Sequence, residues 1–264
     1  MRKVDYAYDV IIIGGGVVGS SIARELSKYK LNTCVLEKEL DVCCETSGRN
    51  SGVLHAGFNN KAGSLMAKFC VEGNENFDEI AKELDIPFKR TGKLVVGFNE
   101  EDKEKLIKMK EQGEANGVKG LEIINKDKIR KLSPYVEGNF ALYSPQTGIL
   151  NPFIYTIAMA ENAVSNGVKY FLDNEVLDIK KVLEKESSIF KIKTNKNVYR
   201  SKWLINSAGL NSDKIGKMMG IEDYTIYPCR GEYFILDQKL GKYLNMPAYP
   251  VPNEKMGGLG IHLT

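Results

Sequence analysis

Asp9-Val10-Ile11-Ile12-Ile13-Gly14-Gly15-Gly16-Val17-Val18-Gly19 reads as a buried strand, a glycine turn and the opening of a helix. The β-branched run Val10 to Ile13 suits a strand. Gly14, Gly16 and Gly19 then fall in the spacing G-x-G-x-x-G. The first glycine allows a tight turn, the second lets backbone approach a pyrophosphate, and the third lets helix pack on strand. The helix N-terminus offers free N–H groups and partial positive charge to that pyrophosphate. A helical stretch follows from Val17 to about Lys30, then a strand from Asn32 to Leu36, then Glu37. An acid at that place can accept hydrogen bonds from both ribose hydroxyls of an adenosine. The glycines alone also fit a ligand-free turn; strand, helix and acid together favour a dinucleotide.

The chain of 264 residues suffices for one large domain or two closely packed ones. Hydrophobic residues at 43% and charged ones at 27% are ordinary for a globular protein. A net charge of +3 is too small to argue for nucleic acid, and in Glu100–Lys110 the lysines are mixed with acids, as on a solvated helix face. No apolar run approaches the roughly 20 residues of a membrane helix. The run after Arg2 and Lys3 enters the glycine turn and reads as a first strand rather than a signal peptide. Five cysteines, Cys34, Cys43, Cys44, Cys70 and Cys229, show no metal spacing, and their odd number suits a reducing cytosol. A cytoplasmic protein without a resident metal is expected.

Glu45-Thr46-Ser47-Gly48-Arg49-Asn50-Ser51-Gly52-Val53-Leu54-His55-Ala56-Gly57 is small, polar and glycine-rich. It is too long for an ordinary connection, which favours a functional loop over a mobile one. Its hydroxyls, amides and glycines suit a backbone lying against a polar, planar cofactor. Helical spacing runs from Leu65 to about Leu84 after a Ser64 cap, and Phe88–Phe98 reads as a strand. A charged helix spans Glu100 to about Asn116, and Pro152 opens another after Asn151. Strands are expected at Val168–Leu172, Glu175–Val182, Phe190–Thr194 and Val198–Leu204. The last runs into Ser207-Ala208-Gly209, a second small-residue turn where backbone can approach a ligand, or simply a tight strand-to-helix turn. Gly260–Thr264 looks like the middle of a strand.

These residues resemble the FAD-dependent amino-acid-oxidase-like superfamily of oxidoreductases. Within it the chain is most similar to L-2-hydroxyglutarate dehydrogenases and oxidases. The resemblance rests on Gly14–Gly19 with Glu37; on Ser47–Gly57 continuing to Gly63-Ser64-Leu65 and Ala67–Cys70; on Arg230–Phe234; and on Tyr249–Pro252 with Leu259–Thr264. FAD-linked glycerol-3-phosphate dehydrogenases share much of it, especially the second block. The implied fold is α/β: a Rossmann-like FAD-binding domain (1–88 and 148–220) with a second, mainly antiparallel β-sheet substrate domain (89–147 and 221–264). Family members continue for well over a hundred further residues (roughly, as the resemblance implies), so the substrate domain is expected to lack its C-terminal part.

The resemblance implies FAD as cofactor and a small hydroxy acid as substrate, L-2-hydroxyglutarate going to 2-oxoglutarate. Glycerol 3-phosphate is the alternative, and an inactive or incomplete FAD-binding fragment is a third reading. Gly14, Gly16, Val18 and Glu37 would meet the adenosine side. Thr46, Ser47, Asn50, Ser51 and Gly52 would run along pyrophosphate and flavin. Val176 resembles the position whose backbone meets adenine, and Ala208 and Gly209 the second small-residue contact. Oxidising an alcohol needs a base for the hydroxyl proton, and the chain has only two histidines, His55 and His262. Arg230 is the candidate carboxylate clamp. Tyr233 and Tyr249 are read as pocket or core residues on half-buried strands, Arg49 as a contact to phosphate or substrate, and Lys61 and Lys68 as solvent-facing. The electron acceptor stays unnamed, and peripheral membrane association stays open.

Overall fold

The computed structural model describes residues 5–184, 187–252 and 260–264. The first half of the chain carries β1 (Asp5–Ile13), α1 (Val17–Leu26), β2 (Thr33–Leu36), β3 (Val53–Leu54), α2 (Leu65–Glu75), α3 (Phe77–Glu83), β4 (Phe88–Lys89), β5 (Lys93–Gly97) and α4 (Glu100–Ala115). The second half carries β6 (Glu122–Asn125), α5 (Lys126–Leu132), β7 (Phe140–Ser144), β8 (Gly148–Leu150), α6 (Pro152–Ser165), β9 (Lys169–Phe171), β10 (Val176–Glu184), β11 (Ser187–Thr194), β12 (Val198–Asn206), α7 (Ser212–Lys217) and β13 (Ala248–Pro250). They fall into two compact units, 1–50 with 152–231 and 51–151 with 232–264.

The first unit is built on a six-stranded sheet of order β10-β11-β12-β1-β2-β9. β1 runs parallel to β12 on one side and to β2 on the other, with Ile11 opposite both Leu204 and Cys34. The unbroken apolar run of β1 follows from burial on both faces. Val10 and Ile12 pack with Ala23 of α1 and Ala163 of α6. Ile11 and Ile13 point the other way, into a cluster with Tyr199, Ile192, Val176 and Ile215. Tyr199 is fully buried. Its hydroxyl donates to Asn174 Oδ1 at 2.9 Å, as does the hydroxyl of Thr194 at 3.2 Å. The Tyr199 and Thr194 hydroxyls are thereby satisfied, as burial requires.

The second unit holds a four-stranded sheet of order β13-β5-β7-β6 and a three-stranded one of order β3-β8-β4. The pairs β5–β7, β6–β7, β3–β8 and β4–β8 are antiparallel, and β13 joins β5 in parallel. Antiparallel pairing therefore predominates, in keeping with the expected substrate sheet. One core cluster lies on each face of β5, Val95 with Phe58, Leu106 and Leu142, and Leu94 and Val96 with Ile124, Ile129 and Met246.

Several local expectations need correction. The helix expected from Leu65 to Leu84 is two, because the chain turns at Asn76. The strand expected over Phe88–Phe98 is also two, broken where Gly92 takes φ +72°. Tyr233 lies in 224–237, which carries no helix or strand, and its side chain is exposed. Tyr249 is a core residue of β13. Of the last strand, only Leu263 is paired, as an isolated bridge to Ala248, and Leu259 lies outside the described residues. The chain also divides earlier than the expected boundary at 88. Residues 51–88 join the second unit because β3 and β4 both pair with β8, and Ala56 and Phe58 pack into its core.

Candidate cofactor and active site

The glycine turn has a physical reason at three positions. Gly14 takes φ +107°, a conformation that L side chains rarely adopt. At Gly19 a Cβ would be driven into the carbonyl oxygen of Gly14, so α1 can approach the end of β1 only because no side chain is there. At Gly16 a Cβ would stand 2.9 Å from the Ser47 hydroxyl. That hydroxyl accepts from the Val17 N–H at 2.9 Å and so occupies the first turn of α1. Glu37, at the end of β2, is buried. Its Oε2 accepts from the Gly15 N–H at 2.5 Å and its Oε1 from the Glu39 N–H at 2.9 Å. A carboxylate has about four acceptor sites, so Glu37 can brace the turn and still receive hydroxyl donors.

Gly14, Gly16, Val18 and Glu37 line one cavity of about 650 Å³ in the first unit. Thr46, Ser47 and Asn50 line it too, as do Val176, Ala208 and Gly209. The walls add Ile13, Leu36, Leu210, Ile215 and Met218, an apolar surface suited to a ring system. Thr46–Gly48 form a single 3-10 turn, and Asn50 folds back to donate to the carbonyls of Thr46 and Ser47. Ser51 and Gly52 are not among the lining residues and belong to the second unit. A side-chain-free turn, a helix N-terminus, a buried acid and an apolar wall fit the adenosine and pyrophosphate of FAD.

His55 lies in the second unit, just after β3. Asn74 of α2, itself buried, donates to the His55 carbonyl at 3.0 Å and to the Gln146 carbonyl at 3.0 Å. Arg90 in turn donates to Asn74 Oδ1 at 2.9 Å, to the Asn74 carbonyl at 2.7 Å and to Gln146 at 2.5 Å. The loop carrying His55 is thereby fixed from behind. By surface area the His55 residue is exposed, yet packed protein around the ring lowers its pKa to about 4, aided by the charges of Lys93 and His262. Part of the side chain meets solvent while the titrating ring is hemmed in.

Lys93 was not among the residues singled out by motif. It opens β5 and is 4% exposed. Its ammonium sits 3.5 Å from the Tyr249 ring centroid and 5.4 Å from that of Phe58. Burial lowers its pKa to about 8. The Tyr249 ring stacks on His262 with centroids 4.1 Å apart, and His262 Nδ1 lies 2.9 Å from the Gly260 carbonyl. Tyr249 is pushed up by burial and pulled back by a hydrogen bond with Ser51. Arg230, at the end of the first unit, is exposed in the stretch without regular structure.

With this geometry in view, the model of the family described as FAD dependent oxidoreductase matches residues 9–264. The chain belongs to that family. Its members use FAD, the cofactor that the glycine turn, Glu37 and the cavity fit. The chain is 44% identical over 259 residues to a glycerol 3-phosphate dehydrogenase of Caloramator mitchellensis, covering 97% of this chain and 53% of that protein. It is 37% identical over 270 residues to a mitochondrial L-2-hydroxyglutarate dehydrogenase of Nematostella vectensis, covering 97% and 59%. Among solved structures, the dithionite-reduced L-alpha-glycerophosphate oxidase of Mycoplasma pneumoniae with FAD bound superposes with a TM-score of 0.82 at 27% identity, covering 98% of this chain and 68% of that one. The chain spans little more than half the length of these curated relatives. No helix among the described residues is long and apolar enough to cross a membrane.

One test of the cofactor site follows from Glu37. In Glu37→Gln the amide keeps the shape but loses the charge and one acceptor, so one of the two N–H groups on Glu37 loses its partner. Hydrogen bonds to charged groups contribute about 1.5–3 kcal/mol, so the Kd for FAD is expected to rise at least ~10-fold. Quenching of flavin fluorescence on titration measures this.

Proposed function

We propose that this chain contributes the cofactor site and part of the substrate site of a dehydrogenase or oxidase that oxidises a CH–OH carbon of a small anionic molecule. The observation that carries the reading is His55, whose carbonyl is held by the buried Asn74 and whose ring is kept below the usual histidine range by burial, with Lys93 and His262 adding to it. Such a ring can take up the hydroxyl proton of an alcohol. FAD, when bound, supplies the acceptor for the hydride that leaves the same carbon. Asn74 and Arg90 hold the His55 backbone in place. Arg230, the carboxylate clamp expected from the sequence, is exposed, and His262 is a second basic ring beside Tyr249.

Sequence resemblance places L-2-hydroxyglutarate first, but the 44% identity to a glycerol 3-phosphate dehydrogenase, against 37% to an L-2-hydroxyglutarate dehydrogenase, favours glycerol 3-phosphate as substrate. The test is anaerobic bleaching of the bound flavin, near about 450 nm, by each compound in turn. Bleaching by sn-glycerol 3-phosphate supports that substrate. Bleaching only by L-2-hydroxyglutarate moves the assignment to the hydroxy acid. Protein that holds FAD but is bleached by neither overturns the reading. The electron acceptor would be identified by reoxidising the reduced protein with oxygen, a quinone analogue or a dye.

A further inference from the structure

The face of β5 that carries Val95 packs against Phe58, Leu106 and Leu142. Alternation along a strand puts Lys93 on that same apolar face. A lysine there loses hydration, and burial is the cause that lowers its pKa. Its contacts are two aromatic rings, Tyr249 and Phe58. Cation–π contacts offset only part of what removing an ion from water costs. Among the described residues no acid pairs with it. Lys93 and His262 are the groups that act on the His55 ring, so a lysine ammonium and two imidazole rings share one neighbourhood in which, among the described residues, no acid offsets the ammonium. His55 is exposed to solvent.

We propose that Lys93, with His55 and His262 beside it, is the binding site in the second unit for the oxyanion of the substrate, a phosphate or a carboxylate. This rests on the reading of the chain as an oxidoreductase of a small anionic alcohol, and it adds to that reading the residue that selects the anion. Lys93 supplies the positive charge at neutral pH, and its ammonium rests against the Tyr249 and Phe58 rings. The bound anion is the missing counter-charge. A lysine serving only to fill the core would show the opposite behaviour, since an apolar side chain would replace it without any change in ligand affinity.

Calorimetric titration of the FAD-loaded protein with inorganic phosphate and, separately, with malonate decides the matter. The expected result is that Lys93→Met raises the Kd of the anion that the wild type binds by at least ~10-fold, as for losing one charge-assisted hydrogen bond. Lys93→Arg should stay within a few-fold, and Lys93→Met should melt at or above the wild-type temperature because an unpaired buried charge has gone. Phosphate binding alone points to a phosphorylated substrate, malonate binding alone to a carboxylate. Wild-type affinity in Lys93→Met, or a wild type that binds neither anion, overturns the proposal. If the Met variant does not fold, Lys93→Gln reads the same loss. Flavin bleaching by sn-glycerol 3-phosphate and by L-2-hydroxyglutarate is run on the same samples. A wild type that bleaches with either while Lys93→Met keeps its affinity refutes the Lys93 site and leaves the oxidoreductase reading standing. A wild type that holds FAD and bleaches with neither removes that reading, while the anion affinities still judge Lys93.

Discussion

Gly19→Ala protein is expected to emerge from purification without flavin and with a lowered melting temperature. The added methyl would be forced into the Gly14 carbonyl oxygen, a backbone atom that cannot rotate away as a side chain would. Gly14 is itself fixed, at φ +107° and by its N–H, which donates to the Leu36 carbonyl at 2.9 Å. The strain is relieved only by moving α1 off β1 or by reshaping the turn. Overpacking of this kind costs typically 1–3 kcal/mol, and either movement displaces the α1 N-terminus at which the pyrophosphate would bind. Gly73 is the matching control. It lies inside α2, where a Cβ meets nothing within 4 Å, so Gly73→Ala should stabilise the protein by about 0.5–1 kcal/mol. Flavin-to-protein absorbance ratio after desalting and thermal melts read both. Gly19→Ala protein that retains flavin and melts like wild type would remove the turn from its assigned role.

The second large effect is expected at His55. Removal of a general base typically lowers turnover by about 10²–10⁴-fold, and His55→Ala should show this in kcat with flavin content unchanged. The pH profile makes the assignment sharper. His55 is lowered to about 4 by burial and by the Lys93 and His262 charges, so the unprotonated base is already present at pH 6. Activity should hold through neutrality and fail only as pH falls towards 4. Lys93, lowered to about 8 by burial, loses its charge above that pH, and KM should rise there. Replacing Lys93 by Met should abolish the alkaline rise in KM and move the acid limb to higher pH, because one of the charges that lowers His55 has gone. His262 and Tyr249 also face this cluster, so the same profile measured in His262→Asn assigns the acid limb. An acid limb that follows His262 and not His55 would transfer the base to His262. Stability has its own sign. Folded Lys93 releases its proton near pH 8 while the unfolded lysine keeps it to about 10.4. The stability of wild type should therefore rise across that interval relative to Lys93→Met.

The features visible in the sequence are those decided locally. Gly14, Gly16 and Gly19 announce a turn because their spacing has a steric reason within a single strand–turn–helix unit, and the run Val10–Ile13 announces burial on both faces. Thr46, Ser47 and Asn50 stand in a polar, glycine-rich stretch and Ala208 and Gly209 in a small-residue turn, which is why these lining residues could be named in advance. Lys93 could not be. Its burial depends on Phe58 and on Tyr249 of a strand far along the chain, and a lysine ahead of Leu94-Val95-Val96 looks like the solvated end of a strand. Asn74 and Arg90 were hidden for a similar reason: each reads as an ordinary polar residue of a helix or turn until the His55 and Gln146 carbonyls are brought to them. The break at Asn76 escapes notice because Phe77 and Ile80 continue the apolar spacing of Leu65 and Phe69 across it.

The pairing of β1 with β12 joins the start of the chain to residues almost two hundred positions later, Val10 lying opposite Trp203. On a ribosome adding about 5–20 residues per second, β1 and its glycine turn must wait on the order of 10–40 s before the neighbouring strand leaves the exit tunnel. During that interval the apolar run Val10–Ile13 has one flank of its sheet unformed, and Ser207 and Ala208 have not yet closed over Gly14. Flavin uptake is therefore expected only after β12 has been made. It reports that both distant segments have met, which makes the yellow colour of a nascent or refolding sample a direct clock for long-range assembly.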